Sequence, residues 1–364
     1  MKNVLFSALC GMLLTGCGST TSDRRTETGL AGIDRLFEQT ELHRLQAVAI
    51  PIRSADLADF GYLTCVDSLL ILNGNYGDYS VAVFDLHSGS RVNRLAFKGK
   101  AENEFLQIGD LAGRDEGVML FGRMPSRAVW IPKPQLTDSF PDLVSTDLAF
   151  EQGDYLSLAP IAGGRYIATG RFSMPESRNH QFALVGPDGR LQRTFEDYLL
   201  NDEIAELPNY NLAYGYQGNF AVTPNGKNGL YSGWNHAVWR FYDFSGEQPR
   251  KVREYAFVLP CFSPRDGARY GVQHVVGKSI GGSLCATASD SHYYLLFSEK
   301  PYGTYDAYFA DRIYIFDLQG NPTGRIELDR EVIAIAYWAG QHALIGCATD
   351  AEGEPQIVKF DLPF

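Results

Sequence analysis

The sequence has little of what most catalytic chemistry is written with. Its seven histidines (His43, His87, His180, His236, His274, His292 and His342) fall into no H-E-x-x-H or other ligand spacing. There is no C-x-x-C, so neither a redox motif nor a zinc cluster has support. No G-x-S-x-G elbow occurs, and Gly281-Gly-Ser lacks the lysine of a phosphate-binding loop. Positive charge is short: 32 Lys and Arg stand against 43 Asp and Glu, a net charge of -11. An acidic chain of this kind repels nucleic acid and anionic lipid heads, so neither is expected as a partner. No later apolar run is long enough for a membrane-spanning helix.

What is present begins at the N-terminus. Lys2 is a basic start, and Val4 to Leu14 is an apolar stretch of 11 residues, too short to span a bilayer. Leu14-Thr15-Gly16-Cys17 follows and resembles the bacterial lipobox. That resemblance implies cleavage before Cys17 and acylation of its sulfur and its new amine. Several acyl chains give stable attachment where one is marginal. Residues 1–16 then read as a signal peptide, and 17–43 as lipidated cysteine and tether. The tether's polar start, Gly18 to Gly29, precedes Leu30, Ile33, Leu36 and Phe37 at helical spacing. The expected location is the bacterial cell envelope, lipid-anchored at the outer membrane. No acidic run follows Cys17, which argues for the periplasmic side.

Cys65, Cys261, Cys285 and Cys347 remain for pairing, with three complete connectivities. The compartment permits disulfides. Small buried thiols in strands are the other reading.

From residue 44 to 364 one phrase recurs. Val81-Ala-Val-Phe-Asp-Leu-His-Ser-Gly89 is an alternating strand ending in a turn, and Val238 to Gly246 and Arg312 to Gly320 repeat it. Gln181 to Gly189 and Arg127 to Pro134 are looser copies, and Ile357 to Phe364 is the last. Aligned at Asp85, Ile131, Pro187, Asp243, Asp317 and Asp361, the phrases average about 55 residues apart, the length of a four-stranded propeller blade. The Asp bonds its own turn and the Gly takes positive φ. The expected fold is all-β, a six-bladed β-propeller. Since the last phrase ends with no strand after it, Arg44 to Ile52 is expected to close the last blade and leave no open edge. A β-sandwich or two sheet domains is the alternative.

Three long insertions stand out: Tyr198 to Gly215, Pro260 to Gly282 and Ser298 to Asp311. The segment Gly99 to Phe105 keeps Gly99, Asn103, Glu104 and Phe105 of a Gly-x-Gly-Pro-Asn-Glu-Phe pattern, with Ala101 and Glu102 at the second Gly and the Pro. With the lipobox and the FDL-type phrases, this resembles the TolB-like six-bladed propeller lipoproteins of Gram-negative bacteria. The resemblance implies a fold and a location but no activity.

Two candidate binding segments follow. Asn103 and Glu104 either meet a ligand at the channel mouth or hold a tight turn while Phe105 enters the core. Tyr210, Tyr214, Tyr216 and Gln217 either present flat aromatic faces to a partner or pack over the ring's end. The functional expectation is a membrane-anchored binding or scaffold module without catalytic residues, cofactor or metal. Its partners would be the membrane, through the lipid, and an envelope protein, peptide or glycan. The enzyme alternative is a lactonase-like propeller hydrolase with one calcium in the channel, which needs oxygen ligands converging from several blades. A quinone-dependent sugar dehydrogenase comes third.

Overall fold

A computed structural model describes residues 29–364, apart from 58–60, 102, 140, 142, 149–152, 173–178 and 266–270. The signal-peptide and Cys17 expectations therefore lie outside the described residues.

The chain begins with α1 (Leu30–Leu36), β1 (Glu41–Leu45) and β2 (Val48–Ala49). A first sheet follows: β3 (Leu63–Val66), β4 (Leu69–Tyr76), β5 (Tyr79–Asp85) and β6 (Arg91–Phe97). The second sheet holds β7 (Gln107–Arg114), β8 (Gly117–Met124), β9 (Ser126–Pro132) and β10 (Val144–Asp147). The third holds β11 (Gly153–Pro160), β12 (Tyr166–Phe172), β13 (His180–Val185) and β14 (Leu191–Asp197). After α2 (Asn209–Gly215) the fourth holds β15 (Gly218–Val222), β16 (Asn228–Gly233), β17 (Ala237–Asp243) and β18 (Arg250–Val258). A two-stranded pair, β19 (Phe262–Pro264) and β20 (Val272–His274), comes next. The fifth sheet contains β21 (Ile280–Ala288), β22 (His292–Pro301), β23 (Ala310–Asp317), β24 (Pro322–Trp338), β25 (Ala343–Thr349) and β26 (Pro355–Asp361), with β1 and β2 joined to it.

This is an all-β propeller. All six repeated phrases fall on, or end, a third strand of their run, namely β5, β9, β13, β17, β23 and β26. Their turns close as the residue types require. Asp85 Oδ1 accepts from the Ser88 amide and hydroxyl, both at 2.7 Å, and Gly89 takes φ +70°. Those two hydrogen bonds hold the Asp85 carboxyl below its ordinary range. Asp317 Oδ1 accepts from the Gln319 and Asn321 amides at 2.9 and 2.8 Å, with Gly320 at φ +76°.

Six separate four-stranded sheets are not seen among the described residues. Four sheets stand apart, and the fifth has eight strands running through the 17-residue β24. Its first half pairs with β23 (Arg312↔Glu327) and its second with β25 (Ala336↔Ile345). The reason is local: Leu328-Asp-Arg-Glu-Val332 contains no Gly, Pro or Asn to break the strand.

The third strands are buried on both faces, as sheets packed face to face demand. One apolar cluster lies between each pair of neighbours. Val83 meets Leu120 between the first and second sheets, and Phe121 meets Ala168 between the second and third. Phe182 meets Tyr242 between the third and fourth, and Trp239 meets Phe316 between the fourth and fifth. Leu70 and Phe84 meet Ile345 and Ile357 across the closure. Each buried aromatic or branched side chain contributes about 2 kcal/mol.

The N-terminal segment joins the ring, and part of the expected closing strand, residues 48–50, bonds to β26. β2 pairs antiparallel with β26 (Val48↔Lys359, Ala49↔Val358), and Ile50 continues the ladder to Ile357 O at 2.9 Å. The packed part nevertheless begins before residue 44. Gly29 N–H donates to Phe257 O at 2.7 Å, Ile33 and Phe37 are fully buried, and β1 runs parallel beside β24. The Phe37 ring sits 4.6 Å from Tyr314 and 5.2 Å from Phe316. A tether would thus end near residue 28, not at 43. Among the described residues, no helix is long and apolar enough to cross a membrane.

Strand alternation gives the ring two ends. Turns between first and second, and between third and fourth, strands lie at the phrase end. Crossovers between sheets, and turns between second and third strands, lie at the other, the crossover end.

Candidate functional site

Six strand segments face the axis: β3, β7, β11, β15, β21 and the second half of β24. Each is the edge of its run, with backbone groups that need partners. Side chains of neighbouring inner strands supply them. Thr64 Oγ1 accepts from Gly113 N at 3.1 Å, and Asp110 Oδ2 from Leu158 N at 2.8 Å. Asn219 Nδ2 donates to Leu284 O at 3.2 Å, and Cys285 Sγ to Ile335 O at 3.2 Å. Thr287 Oγ1 accepts from Tyr337 N at 3.1 Å. The channel wall is therefore stitched from sheet to sheet.

At the phrase end the inner strands part around a cavity of about 110 Å³, lined by Thr64, Asp67, Arg114, Asp115, Pro224 and Thr287 among others. That is room for several waters or the tip of an extended group. Thr64 and Thr287 are spent on the stitching, and Asp67 is paired with Lys133 at 2.8 Å. Arg114 is different. Its Nη2 is buried with no hydrogen-bond partner, and burial pushes its guanidinium pKa down, with Glu116 and Tyr166 opposing. Gly226, at φ +71°, makes room: a Cβ there would stand 2.7 Å from Nη2 and from the Ala162 amide.

Deeper in the wall, burial pushes the Asp110 carboxyl up to about 7, against the Leu158 amide, Ser157 and Arg123. Tyr62 beside it is pushed above its ordinary range, by burial first and Asp110 second. The cysteines Cys65, Cys261, Cys285 and Cys347 are free thiols. Burial pushes Cys285 up to about 11, and Cys65 and Cys347 higher still, which leaves little nucleophilic thiolate. Among the described residues, no three His, Cys, Asp or Glu side chains stand together as a metal site would need.

The residues singled out by sequence lie elsewhere, at the crossover end. Asn103 and Glu104 join the first sheet to the second. Asn103 takes φ +63°, and Glu104 Oε2 accepts from Ala101 N at 2.8 Å. A Cβ on Gly99 would collide with that carboxylate, while Phe105 is fully buried. The motif builds a turn. The Tyr-rich insertion joins the third sheet to the fourth. Tyr216 follows the packing alternative: it is buried, its hydroxyl donates to Leu199 O, and its carbonyl accepts from the Tyr231 hydroxyl. Its ring lies 5.1 Å from Tyr198 and 5.3 Å from His236. Tyr210, Tyr214 and Gln217 are half-buried. Gln217 holds the Trp234 amide through its carbonyl, at 2.8 Å. α2 sits against β19 so closely that a Cβ on Gly215 would enter the Phe262 ring. Tyr198, Ile204, Leu212, Tyr216 and Phe262 form a satellite core. The two segments share an end of the ring, but the second and third sheets separate them.

A buried ion network stiffens the same region. Arg240 is fully buried between the third and fourth sheets. Its Nε donates to Glu254 Oε2 at 2.7 Å and its Nη2 to Asp197 O at 2.9 Å, with Gln181 on Nη1.

Sequence reading missed Asp110 and Arg114. The available signal was charge inside an inner strand: Asp110 and Arg114 flank Leu111, Ala112 and Gly113.

No family model matches the chain, and no curated protein matches it. Solved structures do. A protein from Bacteroides fragilis described as exported has a TM-score of 0.53 at 9% identity, over 88% of this chain and 98% of that one. The β-propeller domain of a Myceliophthora thermophila Swd1 protein gives 0.43 at 10% identity, over 82% of each chain. A calcium-binding regucalcin from Agrobacterium tumefaciens gives 0.45 at 10% identity, over 89% and 97%. The first similarity supports the propeller fold and nothing finer.

Proposed function

We propose that this protein is a lipid-anchored binding module of the bacterial cell envelope, held at the outer membrane through Cys17. In this reading it is a six-bladed propeller of TolB-like type. The eight-stranded sheet counts as two blades fused through β24, which is supported by β21 and β24 both lining the axis. Location rests on the ordered basic start, apolar stretch and lipobox-like Leu14 to Cys17.

The ligand-facing surface is the phrase end of the channel. The observation that carries this is Arg114: it lines a cavity shared by all the inner strands, and one nitrogen of its guanidinium is buried beside that cavity without an acceptor. An unpaired buried donor is costly, and a carboxylate or carbonyl oxygen from a ligand relieves that cost. A peptide terminus or an acidic sugar has that chemistry. The calcium-dependent hydrolase reading gains nothing comparable, because it needs converging carboxylates, and of the two that line the cavity Asp67 is already paired to Lys133, which leaves Asp115.

The test is ligand-induced thermal stabilisation of the purified protein by a panel of short peptides and acidic oligosaccharides. At least one is expected to raise Tm for the native chain and not for Arg114→Met. Equal responses from both proteins would remove Arg114 from the site.

A further inference from the structure

The exposed large apolar side chains are unevenly placed. Phe97, Leu106 and Met124 surround the crossover from the first sheet to the second, at 43%, 48% and 55% exposure. Leu200 stands in the insertion after β14. Val276, Tyr305 and Tyr308 rise from the fifth sheet's side of the same end, at 69%, 82% and 56%. Val276 lies against Gly303, so these last residues belong to one patch. Elsewhere among the described residues, Val48, Val92 and Val144 sit singly on outer strands, and Phe364 is at the phrase end. Isolated exposed apolar residues are ordinary, but their collection on one end of a ring marks an interaction surface.

The chain enters the fold at that same end. Gly29 is hydrogen-bonded to Phe257, one residue before β18 finishes at the crossover to β19. From there the chain runs to the phrase end, where Glu41 pairs with Gly324. The 12 residues from Cys17 to Thr28 reach at most about 40 Å when extended.

We infer that the crossover end lies against the bilayer surface, with Tyr305, Tyr308 and Val276 at headgroup level. This rests on the lipid-anchor reading. A lipid on Cys17 confines the crossover end to within the tether's length of the membrane. Tyrosine, with an apolar ring and a polar tip, suits that interface. Adhesion there is chiefly apolar, since three lysines of this end are already engaged and Lys100 is the one left exposed among the described residues. Lys278 pairs with Glu203, Lys300 with Glu331, and Lys98 binds Asn75 and the Gly77 carbonyl. Orientation this way leaves the Arg114 cavity facing away from the membrane.

The test uses the native full-length lipoprotein in phosphatidylethanolamine vesicles that contain a photoactivatable phospholipid. Labelled residues are mapped by mass spectrometry, and the mass of the Cys17 peptide is read in the same digest. The inference expects several-fold more label on peptides holding residues 273–278 and 302–309 than on the phrase-end turns at 86–90 and 318–321. In a Val276→Ser, Tyr305→Ser, Tyr308→Ser variant, label at 104–107 and 123–126 should fall while Tm stays unchanged. An acylated Cys17 with label confined to the phrase end, or evenly spread, overturns the orientation and leaves the anchor standing. An unmodified Cys17 overturns the anchor and the inference with it. An acylated Cys17 with no lipid label, and with Tyr305 cross-linked to an envelope protein in cells, means that a partner occupies this surface instead.

Discussion

Replacing Asp110 with Asn should stabilise the protein, and the gain should depend on pH. The amide keeps the shape of the carboxyl, and its oxygen can still accept from Leu158 N, the bond that ties the second sheet to the third. What it removes is a charge in the channel wall. Burial raises the Asp110 carboxyl from 3.8 to about 7. The folded protein therefore holds that proton more tightly than the unfolded chain. Stability from this group is full below about pH 4, falls as pH rises towards 7, and is flat above. At 1.36 kcal/mol per unit, the ionised form costs about 4 kcal/mol at pH 8, an upper bound because channel water relaxes around the charge. The Asp110→Asn variant escapes this cost. The assay is urea or thermal unfolding of both proteins at pH 5.5, 6.5, 7.5 and 8.5. The variant's advantage should grow by about 1–3 kcal/mol across that range and level off at the top. A constant difference, or a variant less stable at pH 8.5, would refute the reasoning and make the carboxylate's charge a favourable part of the wall.

Three further outcomes follow from packing. Arg240→Met should lower stability by about 3 kcal/mol, because Glu254 and Glu196 lose the cation that offsets their desolvation; calorimetry that finds no loss would mean the network is solvated. Gly215→Ala should cost about 1–3 kcal/mol by forcing α2 off the Phe262 ring, and proteolysis between residues 198 and 217 should quicken accordingly. Deleting residues 44–53 should expose the β26 edge and convert monomer to aggregate, seen by light scattering; an unchanged monomer with unchanged Tm would contradict the closure.

The propeller was legible because its signal repeats. Four of the six phrases pair an alternating strand with an Asp and a Gly whose chemistry specifies a turn. The unbroken run of β24 was not legible, since the stretch around Leu328 to Val332 reads equally well as one strand or two. The roles of the two candidate segments were left open for a related reason. Tyr216 and Glu104 have side chains that serve packing and binding alike, and only three-dimensional burial separates the uses: the Tyr216 hydroxyl and the Glu104 carboxylate are both turned onto backbone atoms nearby. Arg114 and Asp110 stand on one strand, and their significance depends on five other strands contributed from across the chain. No local spacing records such a convergence.

The most direct measurement is paired photo-cross-linking in intact cell envelopes, with the cross-linker placed once at Asp115 and once at Tyr305. A lipid-anchored module that binds at the phrase end predicts capture of a peptide, glycan or protein from position 115, lost in Arg114→Met, and capture of phospholipid from position 305. Phospholipid captured from 115, with the partner captured from 305, would contradict both the binding end and the orientation.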